Sequence, residues 1–283
     1  MILNFTNTME IPKIRLNSNY EMPRIGLGTA GLLKEECIET IKKALEIGYN
    51  NLDTAESYMN ENEIGLAIKN FNRENLFIAS KISPVELDFY RVLGACEESL
   101  ARLETSYLDL YLIHWPDKSL NSNFKEILKA FKKLYDLGKI KSFGVSNFTI
   151  NHLKYTLKIA EELKLPVSVN QVEFHPILYQ KELLNFCDRN NIAITSYSPL
   201  AKGLVFNNPI LSMIGKKYNK TAGQISLKWL LNKGTIVIPK ASTEKHLKEN
   251  LDLDFEINYN DIKKIDEISN GRILARQKFA EFG

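Results

Sequence analysis

The stretch LDLYLIHW (residues 108–115), the segment 124–137 and the stretch KSFGVS (residues 141–146) together decide the fold. Residues 110–113 are continuously apolar, which is typical of a strand in a parallel sheet that is covered on both faces. Residues 124–137 carry apolar side chains at helical spacing and stop at Gly138, a residue suited to ending a helix. The stretch therefore predicts one strand–helix–strand unit.

The same unit recurs along the chain. Candidate strands lie at residues 25–29, 51–55, 76–82, 108–115, 141–146, 167–173, 193–198 and 236–240. Helical segments between and after them lie at 34–47, 93–103, 124–137, 153–163, 181–189, 224–231 and 245–250. Eight such strands fill a closed barrel.

The sequence thus predicts an α/β fold, a single (β/α)8 TIM barrel over residues 1–283, because no Pro/Gly/Ser-rich linker divides the chain. The polar turn at 17–20, between 13–16 and 22–25, predicts an N-terminal β-hairpin. The periodic segment 262–268 predicts an extra C-terminal helix.

Composition and charge narrow the class of protein. Of 283 residues, 44% are hydrophobic and 25% charged, an ordinary globular composition. The net charge is only +3, so we expect no nucleic-acid or membrane partner. Cys37, Cys96 and Cys187 lack CxxC spacing, so neither a disulfide nor a metal site is expected. With no signal peptide or long apolar run, we expect a cytoplasmic protein, and a monomer.

One motif suggests a different fold. GLGTAG (residues 26–31) matches the GxGxxG pattern of Rossmann folds, and Asp53 follows about 20 residues later. A Rossmann dehydrogenase normally needs a separate catalytic domain, whereas the strand–helix rhythm here runs unbroken to Asn250. We therefore interpret these glycines as permitting a tight turn at the top of the first barrel strand.

Working side chains of a (β/α)8 barrel come from the C-terminal ends of its strands. Asp53, Lys81 and His114 end three consecutive predicted strands, and Tyr58 follows Asp53 by five residues. Each alone is compatible with a purely structural role. Together they predict a site, because a buried Lys81 needs a partner such as Asp53, and an ammonium ~4 Å from Tyr58 would stabilise its phenolate by up to roughly 4 kcal/mol. The expectation is a lowered Tyr58 pKa and a usable general acid.

Three ordered segments carry a resemblance to a family. GYNNLDTA (48–55), continuing through Glu61 to Gly65, resembles the first signature of the aldo-keto reductases. KSFGVSNF (141–148) resembles the second, and IPK (238–240) through Glu249 and Asn250 resembles the third.

This resemblance implies a nicotinamide-dependent carbonyl reductase. Tyr58 would protonate the carbonyl oxygen, Lys81 and Asp53 would bias its pKa, and His114 would orient the carbonyl. Ser146, Asn147 and Gln171 would hydrogen-bond the carboxamide, and Tyr197 would stack on the nicotinamide ring. The expected cofactor-binding residues are Gly28, Thr29, Asp53, Ser146, Asn147, Gln171, Tyr197, Ser198, Leu200, Lys240, Ala241, Ser242, Thr243, His246, Glu249 and Asn250.

Two departures from the family pattern concern cofactor choice. Ala241 stands where the family commonly has Ser or Thr, and His246 where it commonly has the Arg that faces the 2′-phosphate of NADPH. Because Lys240, Ser242 and Thr243 remain, we expect NADPH, with NADH as the alternative.

For a small-molecule carbonyl substrate, the expected contacts are Ala30, Tyr58, His114 and Trp115. Several relatives place a bulky aromatic side chain where this chain has Ala30, so we expect a wider pocket and a broad range of aldehydes, ketones and dicarbonyls.

Two other functions stay open on sequence alone. A Schiff-base aldolase would use a strand-end lysine, Lys81 or Lys240, but leaves Tyr58 and His114 unexplained. A non-catalytic dinucleotide-binding protein, regulatory or structural, would not need the four polar strand-end residues.

Overall fold

The computed structural model describes residues 11–116, 123–269 and 271. It begins with an antiparallel hairpin of β1 (Lys13–Arg15) and β2 (Glu21–Pro23), as predicted. The hairpin turn is fastened to the barrel, because Asn17 Nδ2 donates to the Val167 carbonyl at 2.9 Å. Val167 begins its strand, so the hairpin covers the N-terminal end of the barrel.

Eight parallel strands follow and confirm the predicted barrel; their order in the sheet is their order in the chain. They are β3 (Leu27–Gly28), β4 (Asn51–Asp53), β5 (Phe77–Ile82), β6 (Leu110–Ile113), β7 (Phe143–Ser146), β8 (Val167–Glu173), β9 (Ala193–Tyr197) and β10 (Ile236–Val237).

Backbone hydrogen bonds close the sheet on itself. The Gly26 N–H donates to the Val237 carbonyl at 2.8 Å, and the Val237 N–H donates to the Arg24 carbonyl at 2.9 Å. At Gly28 a Cβ atom would lie 2.7 Å from the Ile238 carbonyl oxygen, so a glycine is needed where first and last strands meet. GxGxxG therefore serves barrel closure, and the Rossmann alternative is wrong.

Helices cover the outside of the barrel. They are α1 (Lys34–Ile47), α2 (Glu61–Ile68), α3 (Phe89–Arg102), α4 (Phe124–Asp136), α5 (Ile150–Glu162), α6 (Lys181–Arg189), α7 (Pro209–Tyr218), α8 (Ala222–Asn232), α9 (Glu244–Leu251) and α10 (Tyr259–Asp266). α10 is the predicted C-terminal helix. The sequence patterns did not predict α2 or α7.

The two helices differ in how well the sequence signals them. α2 contains Gly65, a poor helix residue, yet a Cβ there would lie 2.7 Å from the Arg102 carbonyl, so close packing on α3 requires the glycine. α7 carries a readable start signal in Asn208, whose side chain accepts from the N–H groups of Ile210 and Leu211, followed by Pro209.

Apolar side chains form two clusters. A small one fills the barrel interior and includes Met22, Phe77, Leu110 and Ile236. A larger one lies between strands and helices. Both faces of the strands are thus covered, as the apolar run 110–113 predicted. All three cysteines are buried and unpaired. Within the described ranges, no helix combines the length and apolar content needed to cross a bilayer.

Candidate active site

Four polar side chains gather at the C-terminal end of the barrel. Asp53 is the last residue of β4, Lys81 lies one residue before the end of β5, and His114 directly follows β6. Tyr58 ends a short 3-10 turn, Glu56–Tyr58, that begins three residues after β4. Because neighbouring parallel strands end at the same edge, the chain brings these predicted residues together.

Lys81 and Asp53 form a buried ion pair. Lys81 Nζ donates to Asp53 Oδ1 at 2.6 Å and to the Thr54 carbonyl at 2.7 Å, and the Lys81 side chain is 0% exposed. Burial disfavours the ammonium, but Asp53 and Tyr58 outweigh it and raise the pKa of Lys81. Lys81 is therefore a permanent cation inside the barrel.

Tyr58 lies beside this cation. Lys81 Nζ is 4.9 Å from the centroid of its ring. Burial raises the pKa of Tyr58, and Lys81 opposes that shift without reversing it. The lowered pKa expected from the sequence is thus wrong in sign, because burial disfavours the phenolate more strongly than Lys81 favours it. The consequence favours an acid role, since the phenol keeps its proton at neutral pH and the ammonium stabilises the phenolate once the proton leaves.

His114 packs edge-to-face on Tyr58, with ring centroids 5.6 Å apart and planes at 77°. Burial and the Lys81 charge lower the pKa of His114 to about 3. Its imidazole is therefore neutral near pH 7 and carries a single ring proton.

A second layer of hydrogen bonds surrounds the ion pair. Gln171 Nε2 donates to Asp53 Oδ2 at 2.6 Å, and Ser146 Oγ donates to the Gln171 carbonyl at 2.8 Å. Asn147 Nδ2 donates to the His114 carbonyl at 2.9 Å, while its Oδ1 accepts from the Tyr197 hydroxyl at 2.8 Å. The residues expected to bind a carboxamide are thus held in place by one another.

These residues open onto a cavity of about 580 Å³. The predicted residues that line it are Gly28, Thr29, Ala30, Asp53, Tyr58, His114, Trp115, Ser146, Asn147, Gln171, Tyr197, Ser198, Leu200 and Lys240. Lys81 lies behind this wall, in contact with Asp53.

The other predicted cofactor residues lie beyond the cavity, between β10 and the end of α9. Ser242, Thr243 and His246 are exposed, and the Thr243 hydroxyl caps α9 by accepting from the His246 N–H at 3.3 Å. Ala241 and Asn250 are buried, with Asn250 hydrogen-bonded to the Tyr49 side chain.

Two residues complete this region. Glu249 Oε1 lies 3.8 Å from Nζ of Lys245. Lys240, at the cavity edge, is exposed and donates to the Gly31 carbonyl at 3.3 Å. A polar strip therefore leads from the cavity to α9.

Part of the cavity wall was not predicted from the sequence. The 3-10 segment Ala201–Asn207 contributes Lys202, Gly203 and Phe206 to the cavity. Lys202 (φ 50°) and Gly203 (φ 91°) adopt left-handed conformations that bend the segment over the site. Gly203 was the one available signal, as a residue suited to such a bend.

Comparisons with known proteins identify the family of the chain. The model of the Aldo/keto reductase family matches residues 24–270, so the chain belongs to this family. Glyoxal reductase of Bacillus subtilis (strain 168) is 42% identical over 260 residues, covering 90% of this chain and 92% of that protein. Methylglyoxal reductase DkgA of Escherichia coli (strain K12) is 38% identical, covering 92% and 94%.

A solved structure shows the same architecture. MGS-M4, an aldo-keto reductase enzyme from a Medee basin deep-sea metagenome library, matches with a TM-score of 0.89 and 38% identity over 96% of this chain and all of that chain. The chain is accordingly an oxidoreductase that acts on carbonyl groups, and aldo-keto reductases use nicotinamide cofactors.

Proposed function

We propose that this protein is an NADPH-dependent reductase that converts small aldehydes, ketones and dicarbonyls to alcohols, with Tyr58 as the general acid. The observation that carries the proposal is the buried Lys81–Asp53 pair beside Tyr58, at the wall of an open cavity. A buried charge is costly, and a perturbed acid next to it in a cleft is typical of a catalytic centre.

The proton moves along a short path. Tyr58 gives its hydroxyl proton to the carbonyl oxygen, and the neighbouring Lys81 ammonium stabilises the phenolate that forms. Asp53 keeps Lys81 charged and in place. His114, being neutral, contributes a hydrogen bond to the carbonyl oxygen and fixes its orientation.

The residues present fit a nicotinamide cofactor, which when bound supplies the hydride. Tyr197 offers a flat aromatic face on the cavity wall, and Ser146, Asn147 and Gln171 offer donors and acceptors beside it. To bind a carboxamide, Ser146, Asn147 and Gln171 would each give up or share one of the hydrogen bonds that they make in the structure. Lys240 supplies positive charge for a 2′-phosphate, and His246 lies beyond it on α9, which is why we propose NADPH over NADH.

Small dicarbonyls are the proposed substrates. The relatives named above are a glyoxal reductase and a methylglyoxal reductase. Ala30 leaves its part of the cavity wall free of a large side chain, while Trp115 and Phe206 provide apolar surface. We propose a broad range rather than a single substrate.

The aldolase alternative requires a neutral lysine. Asp53 instead holds Lys81 as a cation and raises its pKa, which disfavours Schiff-base formation. Borohydride with a carbonyl substrate should leave the protein mass unchanged.

A panel of glyoxal, methylglyoxal, simple aldehydes and ketones, assayed with NADPH and NADH in parallel, tests the proposal. We expect carbonyl-dependent NADPH oxidation with a larger kcat/KM than for NADH. Cofactor binding without turnover on any carbonyl would support the non-catalytic alternative instead.

A further inference from the structure

Ser57 contacts the candidate active site from the turn that carries Tyr58. Its Oγ lies 3.3 Å from Nδ1 of His114. The turn is well anchored, because the Glu56 carboxylate accepts from the Ser83 N–H at 2.9 Å and pairs with Arg91. Consecutive residues of one fixed turn, Ser57 and Tyr58, thus both contact the same imidazole.

Two hydrogen bonds fix the backbone of His114, one at its N–H and one at its carbonyl. Its N–H donates to the Ile82 carbonyl at 3.1 Å, and its carbonyl accepts from Asn147 Nδ2 at 2.9 Å. Tyr58 packs against the imidazole ring, whose Nδ1 faces Ser57. The ring lines the cavity, and the side-chain hydrogen bond that it makes to Ser57 is at Nδ1.

A neutral imidazole carries its one proton on either Nδ1 or Nε2. His114 is neutral near pH 7 because burial and Lys81 lower its pKa to about 3. A carbonyl oxygen can only accept, so a substrate in the cavity needs the proton on Nε2. The lone pair of an imidazole nitrogen is a stronger acceptor than a serine oxygen, which favours O–H donation from Ser57 to Nδ1.

We propose that Ser57 is a positioning residue: its hydroxyl donates to Nδ1 of His114 and thereby keeps the ring proton on Nε2, directed at the carbonyl substrate. The catalytic part of this inference rests on the proposed function, whereas the tautomer is a property of the protein itself. Ser57 therefore determines whether His114 presents a donor or an acceptor to the cavity.

¹⁵N NMR of the 283-residue chain labelled with ¹⁵N-histidine tests the tautomer of His114 without substrate. The chain has 4 histidines, and the His114 signals are assigned by their loss in His114→Gln. We expect the Nε2–H form in the wild type, a mixture with more Nδ1–H in Ser57→Ala, and the wild-type pattern again in Ser57→Thr, which keeps a hydroxyl. An Nδ1–H form in the wild type, or no change in Ser57→Ala, overturns the proposal.

Kinetics supply a second readout. Because the contact is a neutral hydrogen bond at an exposed serine, Ser57→Ala should lower kcat/KM for methylglyoxal about 2- to 10-fold, with Ser57→Thr near wild type. Ser212→Ala, a serine of α7 that does not line the cavity, is the control. Equal losses in Ser57→Ala and Ser57→Thr would contradict a role for the hydroxyl. If the wild type reduces no carbonyl, the proposed function fails, yet the NMR result still decides the tautomer.

Discussion

The side-chain amide of Gln171 donates a 2.6 Å hydrogen bond to Oδ2 of Asp53, whose other oxygen holds Lys81. Gln171 belongs to β8 and Asp53 to β4, which lie four strands apart in the eight-stranded ring. The bond therefore crosses the barrel interior. One buried carboxylate thus joins opposite sides of the barrel and fixes the cation beside Tyr58.

The two donors to Asp53 should differ in their contribution to stability. Lys81→Met leaves a buried carboxylate without its counter-charge and should lower the free energy of unfolding by about 3–5 kcal/mol. Gln171→Leu removes one hydrogen bond to a charged group but keeps the ion pair, and should cost about 1.5–3 kcal/mol. Urea unfolding at pH 7.5 measures both. A Gln171→Leu loss equal to or larger than that of Lys81→Met would contradict this arrangement.

Stability should depend on pH through His114. Its folded pKa of about 3 lies below the ordinary value near 6.5 of an unfolded chain, so below pH 6.5 only the unfolded state binds the proton. The free energy of unfolding should therefore fall on acidification, with His114 accounting for about 1–2 kcal/mol at pH 5. His114→Gln cannot titrate and should lose less stability than the wild type between pH 7.5 and 5 in urea unfolding. Parallel losses in the two proteins would disprove the neutral, desolvated histidine.

Barrel closure at Gly28 gives a matched pair of glycine substitutions. Gly28→Ala would push a Cβ to 2.7 Å from the Ile238 carbonyl, and should lower the free energy of unfolding by about 1–3 kcal/mol. Gly94→Ala, in α3, meets no atom within 4 Å and should raise it by about 0.5–1 kcal/mol. Thermal unfolding compares the two; equal effects would show that closure at Gly28 is not tight.

The sequence was sufficient for the barrel because the strand–helix rhythm is local, and the strand ends identified Asp53, Lys81 and His114. The Gln171–Asp53 bond could not be predicted, since it joins residues 118 apart and exists only once the barrel closes. The direction of the Tyr58 pKa shift needed the extent of burial, which a sequence does not supply. Localisation in the cytoplasm, a monomeric state and a single domain stay predictions.

Cofactor preference should depend on the charge at the cavity edge. Lys240→Met should weaken NADPH binding about 10-fold or more and leave NADH binding within about 2-fold, because only the former carries a 2′-phosphate. Lys158→Met, an exposed lysine of α5, is the control matched for net charge. His246→Arg should tighten NADPH selectively, since a guanidinium contacts phosphate through two donors. Fluorescence titration checks all three; an unchanged NADPH-to-NADH affinity ratio in both Lys240→Met and His246→Arg would refute this placement of the phosphate.

Tyr58 is the proposed donor of the proton to the carbonyl oxygen. Single-turnover reduction of methylglyoxal by Tyr58→Phe preloaded with NADPH tests it most directly, with Tyr90→Phe, an exposed tyrosine, as the control. We expect a rate at least about 100-fold below wild type, with NADPH affinity within about 3-fold, because only the hydroxyl is lost. A Tyr58→Phe protein that keeps a third of the wild-type rate would contradict it.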